Sequence, residues 1–110
     1  MTLSIIIPVY NTNPDFLKNL FESIEKALSH YEISKRIEVL VIDDGSNCPH
    51  TIEFLNNELK GIFDYKLFRT TNKGRSHARN LGVKKSKGDY IAFLDSDDQI
   101  ELNYFEEIIS

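Results

Sequence analysis

Apolar residues fall along this chain in short β-rich runs, separated by longer stretches in which they recur every three to four residues. Leu3-Ser4-Ile5-Ile6-Ile7-Pro8-Val9-Tyr10 carries an apolar side chain at nearly every position, the pattern of a strand buried on both faces. Pro14 and Asp15 open a helix in which Phe16, Leu17, Leu20, Phe21, Ile24, Ala27 and Leu28 form one stripe. Arg36 leads into a second buried strand, Ile37-Glu38-Val39-Leu40-Val41-Ile42, which runs into Asp43-Asp44-Gly45-Ser46. Pro49 starts a short helix bearing Ile52, Phe54, Leu55 and Leu59, and Gly61 breaks it. Tyr65-Lys66-Leu67-Phe68-Arg69 reads as a third strand. A polar segment, Thr70 to Arg75, then leads to a helix carrying Ala78, Leu81 and Val83, which Gly88 ends. Asp89 precedes a fourth strand, Tyr90-Ile91-Ala92-Phe93-Leu94, which ends in Asp95-Ser96-Asp97-Asp98, and Glu101 to Ser110 reads as a last helix.

Alternating strands and helices with buried strands predict an α/β, Rossmann-like fold, a mainly parallel sheet with helices on both faces. Open sheets of this kind bind ligands outside the carboxyl ends of the strands, where the strand order reverses. Polar clusters follow the first, second and fourth strands. They converge if the strand order is 3-2-1-4, with the reversal between the first and fourth.

The chain has 110 residues, the size of one domain, with 41% hydrophobic and 27% charged residues, which excludes disordered and fibrous classes. A net charge of -4 argues against a nucleic-acid partner, whose phosphates favour basic surfaces. A single cysteine, Cys48, allows no internal disulfide, and His30, His50 and His77 lack zinc-ligand spacing. No apolar run approaches the ~20 residues that span a bilayer, and the start lacks the basic region of a signal peptide. These features predict a cytoplasmic protein, with anchoring on the cytoplasmic face left to segments beyond this chain.

Three carboxylates within Asp95-Ser96-Asp97-Asp98 repel one another, and a hard divalent cation such as Mg2+ or Mn2+ relieves that repulsion through oxygen ligands. The competing reading is an acidic turn that caps the last helix; placement after a fully apolar strand favours the metal. In Asp43-Asp44-Gly45-Ser46 a carboxylate can accept a base-edge N–H or a ribose hydroxyl, while the same residues also suit a plain Asp-Gly turn. Pro8, Tyr10 and Asn11 offer an aromatic ring and an amide near a base, or ordinary core and turn. Lys73, Arg75 and Arg79 lie at a helix N-terminus, where free N–H groups and the dipole favour an anion such as a diphosphate. For Lys73 and Arg75 a solvated surface is an equal alternative.

Five stretches together carry a family resemblance: Ser4-Ile5-Ile6-Ile7-Pro8-Val9-Tyr10-Asn11, Val41-Ile42-Asp43-Asp44-Gly45-Ser46, Asn72-Lys73-Gly74, Ala78-Arg79-Asn80, and Gly88-Asp89-Tyr90-Ile91-Ala92-Phe93-Leu94-Asp95-Ser96-Asp97-Asp98. In this order and spacing, covering nearly the whole chain, they resemble the family 2 group of inverting glycosyltransferases with a GT-A fold, in its N-terminal nucleotide-sugar-binding part. The resemblance implies that Pro8 and Tyr10, with Asn11 beside them, line a base pocket and that Asp44 hydrogen-bonds the nucleobase, usually uracil. It puts Arg79 and Lys73 near the diphosphate and makes Asp95-Ser96-Asp97 the family's Asp-x-Asp motif. Asp97 or Asp98 would ligate Mn2+ or Mg2+, and Asp95 would face the ribose or the metal's water shell. The expected reaction moves a sugar from a nucleotide-diphosphate sugar, usually a UDP-sugar, to a hydroxyl of a saccharide or lipid-linked acceptor.

In that family the catalytic base lies well downstream of the Asp-x-Asp motif. The chain is therefore expected to be one nucleotide-sugar-binding domain over residues 1–110, cut before the acceptor-binding half and without its own base. A non-catalytic nucleotide-binding module or remnant keeps the same residues and is the main alternative. A phospho-receiver places its acidic pair after the first strand, whereas this pair follows the second. A sugar-nucleotide-forming nucleotidyltransferase needs a Gly-rich loop where Pro8 to Thr12 has no glycine.

Overall fold

The first apolar run forms the centre of the sheet, buried at all seven positions of β1, Leu3–Val9. A computed structural model describes residues 2–31, 36–58 and 63–109. After β1 come α1 (Pro14–Tyr31), β2 (Ile37–Asp43) and α2 (Pro49–Glu53), which continues into a wider π-helical turn, Phe54–Glu58. Then follow β3 (Lys66–Arg69), α3 (Arg75–Lys85), β4 (Tyr90–Phe93) and α4 (Tyr104–Ile109). All strand pairs are parallel, in the order β3-β2-β1-β4 that the polar clusters require. No helix of the described residues is long and apolar enough to cross a membrane.

The pleat of β1 divides its side chains between two layers, because successive residues point to opposite faces. Leu3, Ile5, Ile7 and Val9, with Val39 and Val41 of β2, pack with the α1 stripe and with Phe105 of α4. Ile6, Leu40 and Ile42 face the other way, onto Ala78 and Leu81 of α3. A Cβ on Gly82 would lie 2.4 Å from Ile6 Cγ2, so the lack of a side chain there lets α3 sit close on β1. Helices cover both faces, as the alternation predicts.

Three expectations shift. Phe16 stands in the first turn of α1, half exposed instead of in the stripe, and Val83 also faces outward. The fourth strand ends at Phe93 and is not buried: Tyr90 is 58% and Phe93 44% exposed. Among the described residues β4 is an edge strand with one partner, so its apolar sequence reports less about burial than that of β1 or β2. The last helix begins at Tyr104, not Glu101. Leu59, Gly61 and Ser110 lie outside the described residues.

A polar network ties the amino ends of the strands. The buried Ser4 hydroxyl donates to Glu38 Oε2 at 2.6 Å and accepts the Gly88 N–H at 2.9 Å. Glu38 also accepts the Lys87 N–H and the Lys66 ammonium, each at 2.9 Å. Partial burial pushes the Glu38 carboxyl up, but the bonds from Ser4, Lys87 and Lys66 and the Lys66 charge outweigh it, and the group sits below its usual range. A carboxyl depressed in the folded state adds stability above its unfolded pKa, near 4.3, and loses it as pH falls through the lower folded value. Glu38→Gln should therefore lose less stability than the parent chain between about pH 6 and pH 3 in urea melts. Parallel acid limbs in the two proteins would contradict this role.

Candidate functional site

Because the strands are parallel, their carboxyl ends and the following loops meet at one edge of the sheet. There the chain forms a cleft of about 480 Å3. Pro8 and Tyr10 come from the end of β1, Asp44 from the end of β2, and Asp95, Ser96 and Asp97 from the loop after β4. Thr12, Asn13 and Phe16 close one side, and Asn72, Gly74 and Arg75 close the other at the start of α3. The half-exposed Tyr10 and Phe16 give the cleft two aromatic rings.

The floor is held by hydrogen bonds between loops. Asp44 is 3% exposed, and its two carboxylate oxygens accept the N–H groups of Lys73 and Gly74, each at 3.0 Å. Its own N–H donates to the Val9 carbonyl at 2.8 Å. Asp43 accepts the Ser46 N–H at 3.0 Å and faces Arg69 at 3.5 Å, away from the cleft lining. Asn11 adopts a left-handed backbone, φ 52°, which Asn tolerates better than most residues. Its amide oxygen accepts the N–H groups of Asn47 and Cys48 at 2.8 and 2.9 Å, and its NH2 donates to Asn47 Oδ1 at 2.8 Å. The Asn11 side chain thus binds the loop after β1 to the loop after β2.

Asp95, Asp97 and Asp98 each offer a carboxylate oxygen, all within 4.8 Å of one another. Two of the three have partners. Asp95 Oδ1 lies 3.7 Å from Arg75 and 3.4 Å from Arg79. Asp98 Oδ2 accepts the Asp95 N–H at 2.9 Å, closing the turn. Asp97 makes no hydrogen bond or ion pair with a described residue and lines the cleft. Both guanidiniums face Asp95, so Asp97 and Asp98, each exposed, have no cationic partner among the described residues. Clustered hard oxygen donors with surplus negative charge suit Mg2+ or Mn2+.

Of the residues singled out in the sequence, Pro8, Tyr10, Asp44, Asp95, Ser96 and Asp97 line the cleft. Arg75 lines it as well, while Asn11, Lys73, Arg79 and Asp98 are not among its lining residues. Lys73 reaches the site through its backbone N–H. The Arg79 guanidinium stacks 5.5 Å from the Phe93 ring centre, with its buried Nε unpartnered among the described residues. Ser96 Oγ and Thr12 Oγ1 lie 2.5 Å apart and join the loops after β1 and β4. Sequence reasoning missed Thr12, Asn13, Phe16 and Asn72. Only position could have marked them, since each lies within a few residues of a strand end or helix start.

Residues 4–110 match the family model "Glycosyl transferase family 2". An uncharacterized glycosyltransferase of Haemophilus influenzae is 40% identical over 96% of this chain, which spans 40% of that protein. Two Rickettsia relatives, at 39% and 40% identity, are longer still, and the chain spans 15% and 17% of them. The crystal structure of Staphylococcus aureus TarS in complex with UDP-GlcNAc superposes with a TM-score of 0.83 at 27% identity, over 98% of this chain and 30% of that one. With the parallel sheet, its strand order and the family match over nearly every residue, the chain belongs to glycosyl transferase family 2 and carries a GT-A, Rossmann-like fold.

Proposed function

We propose that the cleft binds a nucleotide-diphosphate sugar, with UDP as its nucleotide, and that this chain supplies the donor side of sugar transfer to an acceptor hydroxyl with inversion. The observation that carries the reading is the meeting of Pro8, Tyr10, Asp44 and the Asp95-Ser96-Asp97 loop in one cleft, where the strand order reverses between β1 and β4. UDP-GlcNAc in TarS, at 27% identity over 98% of this chain, supports a UDP-sugar.

In this reading Pro8 and Tyr10 flank the base, Asp44 accepts a hydrogen bond from its edge, and Asn11 fixes the loops around it. Lys73, Arg79 and the N-terminus of α3 face the diphosphate, where free N–H groups and the helix dipole favour negative charge. Asp95 and Ser96 stand toward the ribose. Asp97 and Asp98 would hold a divalent cation, Mn2+ or Mg2+, whose chemistry is to neutralise charge on the departing nucleoside diphosphate. Asp44 is turned onto backbone N–H groups, Asp95 onto two arginines, and Asp98 onto the Asp95 N–H. Their engagement in holding the site favours a base outside these three carboxylates, and the acceptor in this reading is a saccharide or a lipid-linked sugar. The reaction belongs to the cytoplasm or the cytoplasmic face of a membrane.

Calorimetric titration of the 110-residue chain with UDP tests this. Saturable binding in Mn2+ that weakens at least ~10-fold in EDTA is expected, with little sugar transfer by the chain alone. Failure of UDP, GDP and every other nucleoside diphosphate to bind in Mn2+ would end the reading.

A further inference from the structure

We infer that Thr12 is a positioning residue: its hydroxyl clasps Ser96 and so holds the Asp95-Ser96-Asp97 loop against the β1 side of the donor cleft. The inference rests on the proposed reading of the cleft as a nucleotide-diphosphate site.

Three observations carry it. First, β1 and β4 are paired only as far as Ile6 and Phe93, where the Leu94 N–H donates to the Ile6 carbonyl at 3.0 Å. Beyond that point no backbone hydrogen bond joins the two segments among the described residues. The cleft opens there, with Pro8 and Tyr10 from one segment and Asp95 and Asp97 from the other. The segments meet again at Thr12 Oγ1 and Ser96 Oγ, 2.5 Å apart, and both residues line the cleft.

Second, Thr12 is itself anchored. Its carbonyl accepts the Thr51 hydroxyl at 2.8 Å, and Thr51 is fully buried in α2. Thr12 therefore joins the connections that follow β1, β2 and β4. Third, Ser96 sits between Asp95 and Asp97, so fixing it fixes the backbone that carries both carboxylates. The bonds of Asp98 with Asp95 lie within the turn and hold its shape, not its place against β1. The two arginines tie Asp95 to α3 through partly exposed ion pairs, which are weak. Ser23 of α1 holds the Ile100 N–H at 3.1 Å, past the carboxylates. The tie from within the motif to the loop after β1 is the Thr12 hydroxyl.

One proton and one lone pair make this bond, so either hydroxyl can still meet the donor as well. What distinguishes positioning from contact is whether Thr12 acts through Ser96. The 110-residue chain, Thr12→Val, Thr12→Ser, Ser96→Ala and the double variant of Thr12→Val with Ser96→Ala are titrated with UDP in Mn2+. Valine keeps the shape of threonine without the hydroxyl, and serine keeps the hydroxyl. Thr12→Val should weaken UDP roughly 5-fold, the worth of one ordinary hydrogen bond, and Thr12→Ser should bind like the parent. In the Ser96→Ala background, Thr12→Val should cost nothing further, because its partner is already gone. In the ligand-free chain, losing the clasp lets the β1–β4 pairing fray from this end. The Leu94 amide should then exchange in heavy water roughly 5-fold faster in Thr12→Val, and at the parent rate in Thr12→Ser. The same loss of UDP affinity in both backgrounds would mean that Thr12 touches the donor directly and would overturn the inference. Unchanged Leu94 exchange in Thr12→Val would overturn it too. If the parent chain binds no nucleotide, the donor-site reading fails instead, and Leu94 exchange still decides whether the clasp exists.

Discussion

Asp97→Ala is expected to lower the affinity for UDP in Mn2+ by about 100-fold and to erase the difference between Mn2+ and EDTA. Asp97 is the cleft carboxylate left without a partner among the described residues, while Asp95 and Asp98 already serve arginines and a backbone N–H. Asp97 and Asp98 both lack a cationic partner among the described residues, and of the two Asp97 lines the cleft, so a cation bound there depends most on it. The sign in EDTA is separately informative. Without metal, Asp97 repels a diphosphate, so its removal should leave metal-free binding unchanged or slightly tighter. Asp98→Ala should behave differently, because it also releases the Asp95 N–H and loosens the turn. Calorimetry on the two variants separates the roles. Full Mn2+-dependent binding by Asp97→Ala would remove the metal from this corner.

Phe21→Ala should cost about 3–5 kcal/mol of stability, a large share of the roughly 5–15 kcal/mol that holds a small domain together. Phe21 is fully buried in the layer between α1 and the sheet, and its ring lies 5.7 Å from that of Phe63. Its neighbours include the β1 side chains on that face, which cannot close a cavity without moving the central strand. Guanidinium unfolding should show the loss, and the melting temperature should fall by about 12 °C or more. Phe21→Leu, which keeps most of the volume, should lose far less. A drop below about 1 kcal/mol for Phe21→Ala would mean that this layer repacks freely.

The parts of the fold that sequence reveals best are those where burial and local pattern agree. β1 and β2 are apolar because helices press on both their faces, so their runs read directly as central strands. β4 has a similar composition but one strand neighbour, and edge position is a property of the whole sheet that no local window contains. Phe16 continues the spacing of the α1 stripe, yet it falls in the first turn, where the helix has just left the cleft rim. The candidate site divides the same way. Asp44, Asp95 and Asp97 were legible because acidic residues at strand ends are chemically conspicuous. Thr12, Asn13 and Asn72 are ordinary loop residues, brought to the rim by the pairing of other segments. Asn11 was read as a polar group near a base; its amide also holds Asn47 and Cys48, contacts made across the gap between two loops.

The Ser4–Glu38–Gly88 network and the cleft sit at opposite ends of the same strands. On β1, Ser4 of the network and Pro8 of the cleft are four residues apart, so about 13 Å of strand separates the two. Effects of changes that far apart add without coupling. Stability at one end and ligand preference at the other are therefore independently heritable traits. The cleft rim is free to drift toward new donors or acceptors over many generations, because the fastening that keeps the sheet in register is not exposed to that selection.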